Sequence, residues 1–182
     1  MAERIEVRSV ATSDLSERDL RQMRELLWAA FPGEDGFTED DWRHAMGGTH
    51  FLADRDGVIV SHAAVIEREI HVGGVALRTG YVEGVGTLPE HQGQGYGTAV
   101  MRAATQHILE TYEFGALGTG EHGFYERFGW ETWKGRAYVR TPDGPERTPD
   151  EEGAIMVLRT PSTPSLDPEA SISCDWRPGD VW

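Results

Sequence analysis

Residues 92–98 read Gln-Gly-Gln-Gly-Tyr-Gly-Thr, with Gly93, Gly95 and Gly97 packed into five positions between a β-rich stretch and an amphipathic run over 96–112. A glycine-rich turn that opens a helix presents N–H groups and the positive helix end to an anion, usually a phosphate. The segment therefore points to a phosphorylated cofactor. A Walker loop is excluded because no Lys-Ser/Thr follows, and the dinucleotide fingerprint fails because its third glycine would fall at Thr98. What remains is Gln/Arg-x-x-Gly-x-Gly, met by Gln92, Gly95 and Gly97. Alone, that spacing fits a glycine-rich turn with no ligand equally well, so the surrounding residues must decide.

Other chemistries are narrowed by composition. The single cysteine, Cys174, excludes an internal disulfide and a Cys-rich zinc site, and the seven histidines contain no His-Glu-x-x-His or paired spacing, so no metal is expected. A net charge of −14, from 31 acids against 17 bases, argues against nucleic acid and for a cationic partner drawn in by the field. At 182 residues the chain reads as one domain able to bury roughly 70% of its unfolded surface. The N-terminus is charged from residue 3 and lacks an apolar signal core, and no stretch approaches the ~20 apolar residues of a membrane span. The expectation is a soluble, cytoplasmic protein with no membrane partner.

The elements that must position the loop follow from periodicity and turn chemistry. Residues 4–10 alternate as a first strand, and Ser16 caps a helix with Leu20, Met23, Leu27 and Phe31 at helical spacing, ended by Pro32-Gly33. Thr38 caps a second, short helix with Asp41 at its capping-box position and Phe37 stapled onto Trp42. Strand-like runs at 50–53, 58–70, 75–77 and 81–87 are separated by Asp56-Gly57 and Gly73-Gly74, two strong hairpin turns. After the glycine loop, Val100, Ala103, Ala104, His107, Ile108 and Thr111 make one helical face. A short strand at 114–117, a short helix at 121–128, and closing strands at 130–133 and 154–158 complete the order β-α-α-β-β-β-α-β-α-β-β. The fold class is thus α/β, a central mixed, mostly antiparallel sheet flanked by about four helices. Residues 159–168 are rich in Pro, Ser and Thr, but Trp176 and Trp182 follow, and aromatic residues are unlike a disordered tail. The C-terminal segment 159–182 is expected to be ordered, held against the domain by both tryptophans.

The element order, the Gln92 loop opening the third helix, and Phe124-Tyr125-Glu126-Arg127-Phe128-Gly129-Trp130 on the fourth together resemble the GCN5-related N-acetyltransferases (GNAT). Gly80-Tyr-Val-Glu-Gly-Val85, Phe37-Thr38 with Asp41-Trp42, Arg147-Thr-Pro-Asp150 and Cys174-Asp-Trp-Arg-Pro-Gly-Asp-Val-Trp182 resemble the aminoglycoside 2′-N-acetyltransferases within them. The resemblance covers the whole chain, so it implies a single GNAT domain over 1–182 whose residues 159–182 complete the substrate site. It implies acetyl transfer from acetyl-CoA, held between parting strands four and five, to the 2′-amino group of cationic aminoglycosides, and a homodimer. The chain departs from the family pattern at 118–123, which is shorter and less serine-rich, and at Gly36, inserted beside Glu34-Asp35.

Acetylating an amine needs a neutral nitrogen, a polarised thioester carbonyl and a proton for the departing thiolate. Glu83, on the strand before the loop, suits the base and matches the family's position. The Val85 N–H on the same strand suits the carbonyl. The resemblance implies Tyr125 as the acid, and Gln92, Gly93, Gln94, Gly95, Tyr96, Gly97 and Thr98 as the acetyl-CoA loop. With Cys174 the only thiol and Lys134 the only lysine, direct attack in a ternary complex is favoured over a covalent route. The ammonium groups of the drug call for several carboxylates, for which Asp35, Asp41, Glu83, Glu151, Asp180 and the terminal carboxylate of Trp182 are candidates. Two alternatives stand beside this reading: a GNAT enzyme for another cationic amine, polyamine or peptide, and a non-catalytic domain that binds cations or CoA.

Overall fold

The computed structural model describes residues 5–182; Arg4, the expected start of the first strand, lies outside the described residues. By its contacts the chain forms two units, one of residues up to Ile66 with Val82–Gln106, the other of Glu67–Tyr81 with His107–Trp182.

In the first unit, β1 (Val7–Ala11) pairs antiparallel with β2 (Thr49–Arg55), and β2 pairs antiparallel with the opening of β3 (Val58–Val72). The β2–β3 turn places Asp56 and Gly57 at φ of +52° and +79°, the type I′ geometry that Asp-Gly predicts. Helix α1 (Glu17–Ala30) begins at Ser16, whose Oγ accepts the Asp19 N–H at 3.1 Å while the Asp19 carboxylate accepts the Ser16 N–H at 3.0 Å. The reciprocal pair satisfies two amides that the helix itself cannot. One stripe of α1 buries Met23, Leu26 and Leu27 against Leu52 and Ile59. Phe31, expected on that stripe, instead ends the helix, is 41% exposed, and stacks on Phe37 at 6.0 Å. Pro32 is the reason, since the residue before proline is driven from the helical region. Helix α2 (Glu39–His44) is capped by Thr38 and Asp41 as expected, with Phe37 and Trp42 flanking Trp28 at 5.1 and 6.2 Å.

Strand β4 (Val75–Thr87) is continuous where two separate runs were expected. Thr79, which interrupts the apolar pattern, is buried because its hydroxyl donates to the Leu77 carbonyl at 3.0 Å. The last part of β4 and most of α3 (Tyr96–Thr111) belong to the first unit, where α3 buries Val100, Met101 and Ala104.

The second unit contains the end of β3, the start of β4, β5 (Phe114–Gly118), helix α4 (His122–Glu126), β6 (Glu131–Thr132), β7 (Ala137–Thr141), β8 (Gly144–Arg147), β9 (Ile155–Arg159) and β10 (Ile172–Asp175). Its strand order is β6-β9-β5-β4-β3-β10-β7-β8. The β4–β5 and β7–β10 pairs are parallel, and β5–β9, β6–β9, β3–β10 and β7–β8 antiparallel, which makes the sheet mixed and mostly antiparallel as expected. Gly73 and Gly74, at φ of +55° and +83°, turn β3 into β4. The β7–β8 hairpin and β10 are additions to the sequence reading. Pro145 sits in β8, which is tolerated because β8 is the edge strand, so the usual demotion of a proline-bearing run misleads here. The core gathers Ile70, Leu77, Tyr81, Phe114, Trp133, Ile172, Cys174 and Trp182.

Candidate functional site

In the first unit, β4 runs through Glu83, Gly84 and Val85, all half-buried, into the glycine loop. Gly84 adopts the left-handed φ of +58° that favours glycine, and a Cβ there would crowd the His62 ring at 3.3 Å. Gln92 does not point away with the loop. Its Nε2 donates back to the Thr87 carbonyl at 3.2 Å, while Gln94 Nε2 donates to the Glu90 carbonyl at 3.0 Å and Gln94 Oε1 accepts from Arg55 at 3.1 Å. These bonds tie the loop to the strand end. Gly93 and Gly95 sit at φ +72° and +91°; among the described residues nothing lies within 4 Å of a Cβ on Gly93, and only Ile5 approaches one on Gly95. Helix α3 starts at Tyr96, so the amides of Tyr96, Gly97 and Thr98 belong to a first turn that offers them no intrahelical acceptor.

Asp35 is exposed in the turn after α1, where the Gly36 N–H donates to the Gly33 carbonyl at 3.2 Å and a Cβ on Gly36 would lie 2.2 Å from the Phe31 carbonyl oxygen. Asp41 commits one carboxylate oxygen to the Thr38 N–H and hydroxyl, both at 2.8 Å.

The second unit holds the remaining candidates. Tyr125 is buried on α4, and burial pushes its phenol up to about 12, opposed by a hydrogen bond with Thr119. It is therefore a neutral O–H donor at neutral pH. Thr119 also accepts the Glu121 N–H at 2.9 Å. Glu151 and Asp180 come close enough that Asp180, after burial, raises the Glu151 pKa. Trp182 is buried, and its Nε1 donates to Thr148 Oγ1 at 3.1 Å. Trp176, expected to help hold this terminus, is 57% exposed. Arg68 does that work: its Nε donates to Asp175 Oδ1 at 2.9 Å, and its Nη2 to the carbonyls of Asp175 and Val181 at 2.9 and 2.8 Å. Cys174 donates to the Val181 carbonyl at 3.3 Å, and burial pushes its thiol up to about 11, which keeps it from serving as a nucleophile.

Residues 11–133 match the acetyltransferase (GNAT) domain family. The chain is also 40% identical over 179 residues to an aminoglycoside 2′-N-acetyltransferase of Mycolicibacterium fortuitum, an alignment covering 96% of this chain and 91% of that one. The chain belongs to the GNAT acetyltransferases. Among solved GNAT structures, YhbS of Escherichia coli in complex with CoA matches with a TM-score of 0.62 at 18% identity, over 94% of this chain and 89% of that one. A GNAT acetyltransferase of Brucella melitensis in complex with acetyl-CoA matches at 0.60 and 20% identity, over 90% and 95%. The chain spans only 33% and 34% of two longer solved chains of the same fold. As a GNAT enzyme it uses acetyl-CoA as cosubstrate, which supplies the acetyl thioester. The open glycines at 93 and 95 and the first-turn amides of α3 fit its pyrophosphate, since a side chain on either glycine would fill the approach. Among the described residues no group of His, Cys, Asp or Glu is arranged to hold a metal ion, and no helix is long and apolar enough to cross a membrane.

Sequence reasoning missed Arg68, Thr119, His50 and His62. Only His62 carried a signal, a polar ring inside the apolar run 58–66. His50 and His62 are fully buried. Burial, with each other's proximity for His62, drives their pKa values down to about 4 and about 3. Unfolded histidines titrate near ~6.5, so below that pH the unfolded chain binds protons that the folded one refuses. This stability is complete above about pH 6.5 and is lost as pH falls toward about 4, at ~1.4 kcal/mol per pH unit for each ring. Denaturant midpoints taken from about pH 7 to about pH 5 should fall less steeply for His50→Gln than for the parent protein; parallel curves would refute the assignment.

Proposed function

We propose that this GNAT enzyme transfers acetyl from acetyl-CoA to the 2′-amino group of aminoglycosides, by direct attack of the amine in a ternary complex. The observation that carries the proposal is the 40% identity, sustained over 96% of the chain, with a protein of that activity. In this reading Glu83 removes a proton from the drug ammonium, directly or through one water, and leaves a nucleophilic nitrogen. The Val85 N–H steadies the negative charge that develops on the thioester oxygen as the C–N bond forms. Tyr125, held neutral by burial, gives its phenolic proton to sulfur as the C–S bond breaks, and the second proton shed by the acylated nitrogen balances the one the phenol must regain. Gln92, Gly93, Gln94, Gly95, Tyr96, Gly97 and Thr98 hold the cosubstrate's phosphates.

Glu151 and Asp180 are the acids best suited to the drug's other ammonium groups. Burial and then the Asp180 charge raise the cost of ionising Glu151, and a cation arriving there relieves it. Asp35 and Asp41 of the first unit, and Trp182 of the second, are further candidates for contact with the drug. Homodimer assembly and a cytoplasmic location belong to the same reading and rest on the resemblance. The test compares close aminoglycoside pairs bearing 2′-NH₂ or 2′-OH, following CoA thiol release. The amine should be acetylated and the hydroxyl compound should be a poor acceptor. Equal rates on both, or turnover confined to polyamines, would overturn the assignment.

A further inference from the structure

Four groups of the first unit form a hydrogen-bonded chain that ends on the catalytic strand. The Thr12 hydroxyl lies 2.7 Å from His50 Nε2, His50 Nδ1 lies 2.9 Å from His62 Nε2, and His62 Nδ1 lies 2.6 Å from the Gly84 carbonyl oxygen. A carbonyl can only accept, so His62 carries its proton on Nδ1. A neutral His62 then offers a lone pair at Nε2, which His50 must fill from its own Nδ1–H. His50 is left with a lone pair at Nε2, which the Thr12 hydroxyl fills at 2.7 Å in preference to the Gly48 carbonyl at 3.3 Å. The other end is closed as well, because Thr12 Oγ1 accepts the Gly47 and Gly48 N–H groups at 2.9 and 3.2 Å. Every proton in the chain therefore points toward Gly84. Both rings are fully buried, so water does not compete for these bonds.

The Gly84 carbonyl and the Val85 N–H belong to one planar trans peptide, in which the two bonds point in opposite directions. Holding the carbonyl on His62 aims the Val85 N–H away from it. Gly84 would otherwise be free to turn, since at φ +58° it occupies a region where glycine has many neighbouring states. We propose that His62, backed by His50 and Thr12, is a positioning residue for acyl transfer, fixing the Gly84–Val85 peptide so that the Val85 N–H meets the thioester oxygen and Glu83 keeps its direction. A chain of donors aligned one way also polarises the peptide it ends on, which strengthens the Val85 N–H as a donor. This inference rests on the roles proposed above for Glu83 and Val85.

The experiment uses His62→Leu, His62→Asn and His62→Gln. The Asn amide nitrogen stands where Nδ1 does and can still donate to Gly84, whereas the Gln amide reaches toward His50 and leaves Gly84 without its donor. Removing an oxyanion donor outright costs about 10²–10³ in kcat, and loosening one should cost about 10- to 100-fold. H62L and H62Q should show that loss in kcat per acetyl-CoA-binding molecule with KM for acetyl-CoA within about threefold, and H62N should recover most of it. A merely structural role would lower the melting temperature without this split. Parent-like kcat in H62Q, or an H62N as slow as H62Q, would overturn the proposal, and that comparison stands even where H62L does not fold. In the parent protein, long-range ¹⁵N–¹H spectra should show the Nδ1–H tautomer at His62, and the Val85 amide should shift when acetyl-CoA is added. An Nε2–H tautomer or an unmoved Val85 amide overturns it too. Neither measurement needs an amine substrate, so a parent protein that acetylates no 2′-amine would refute the functional reading separately.

Discussion

Glu83→Gln lowers kcat by about 10²- to 10⁴-fold while acetyl-CoA binding survives, the expected loss for a positioned base whose isostere keeps shape but cannot take a proton. Glu83 lies on β4, in line with Val85 and ahead of the loop that begins at Gln92, so the amide leaves the cosubstrate contacts untouched. Tyr125→Phe should produce a comparable fall from the other end of the reaction. Burial keeps the phenol protonated, with a pKa pushed up to about 12, so it can supply a proton across the whole neutral range. Gly95→Val is the converse case. A side chain at φ +91°, where among the described residues only Ile5 comes near, obstructs phosphate approach and should raise KM for acetyl-CoA with a smaller effect on kcat. Steady-state kinetics and calorimetric acetyl-CoA affinities separate the two patterns. Full activity of both Glu83→Gln and Tyr125→Phe over about pH 6 to 9 would refute their assigned roles.

Arg68→Met destabilises the protein by about 3 kcal/mol, which for a chain of this size is a fall in melting temperature of about 6–12 °C. The Arg68 side chain is 4% exposed, and its guanidinium lies 4.6 Å from the Tyr81 ring centroid. Methionine keeps the stem and much of that contact. It removes the three donors that hold Asp175 Oδ1 and the carbonyls of Asp175 and Val181. Those acceptors must then find water or stay unpaired in a largely dry setting. The Asp175 side chain is 48% exposed and can be resolvated, which keeps the estimate at the lower end for a broken buried pair. Because the same donors hold the approach to Trp182, aminoglycoside affinity should weaken about tenfold with acetyl-CoA affinity unchanged. A melting temperature within about 2 °C of the parent would show that the terminus is held by Trp182 packing alone.

What the sequence by itself determined were features whose partners are neighbours in the chain. The capping boxes at Ser16–Asp19 and Thr38–Asp41 span three residues, and the turns at 56–57 and 73–74 need only left-handed backbone at both central positions. The glycine loop was legible for the same reason, since its left-handed glycines and the helix it opens are set by neighbouring residues. Family resemblance added the roles proposed for Glu83 and Tyr125, which no local pattern could express. The tertiary structure alone decided what depends on strand register. Arg68 finds Asp175 across 107 residues because β10 pairs with β3, and nothing in the composition of either strand announces that pairing. His62 finds His50 because β2 and β3 are antiparallel, and it finds Gly84 because β4 places a left-handed glycine carbonyl within 2.6 Å. The Glu151–Asp180 pair likewise joins a short turn to the chain's last residues. Such contacts are set when the hydrophobic faces of the strands choose a register, and every polar group carried on those strands is then delivered to a place that its own neighbours did not specify.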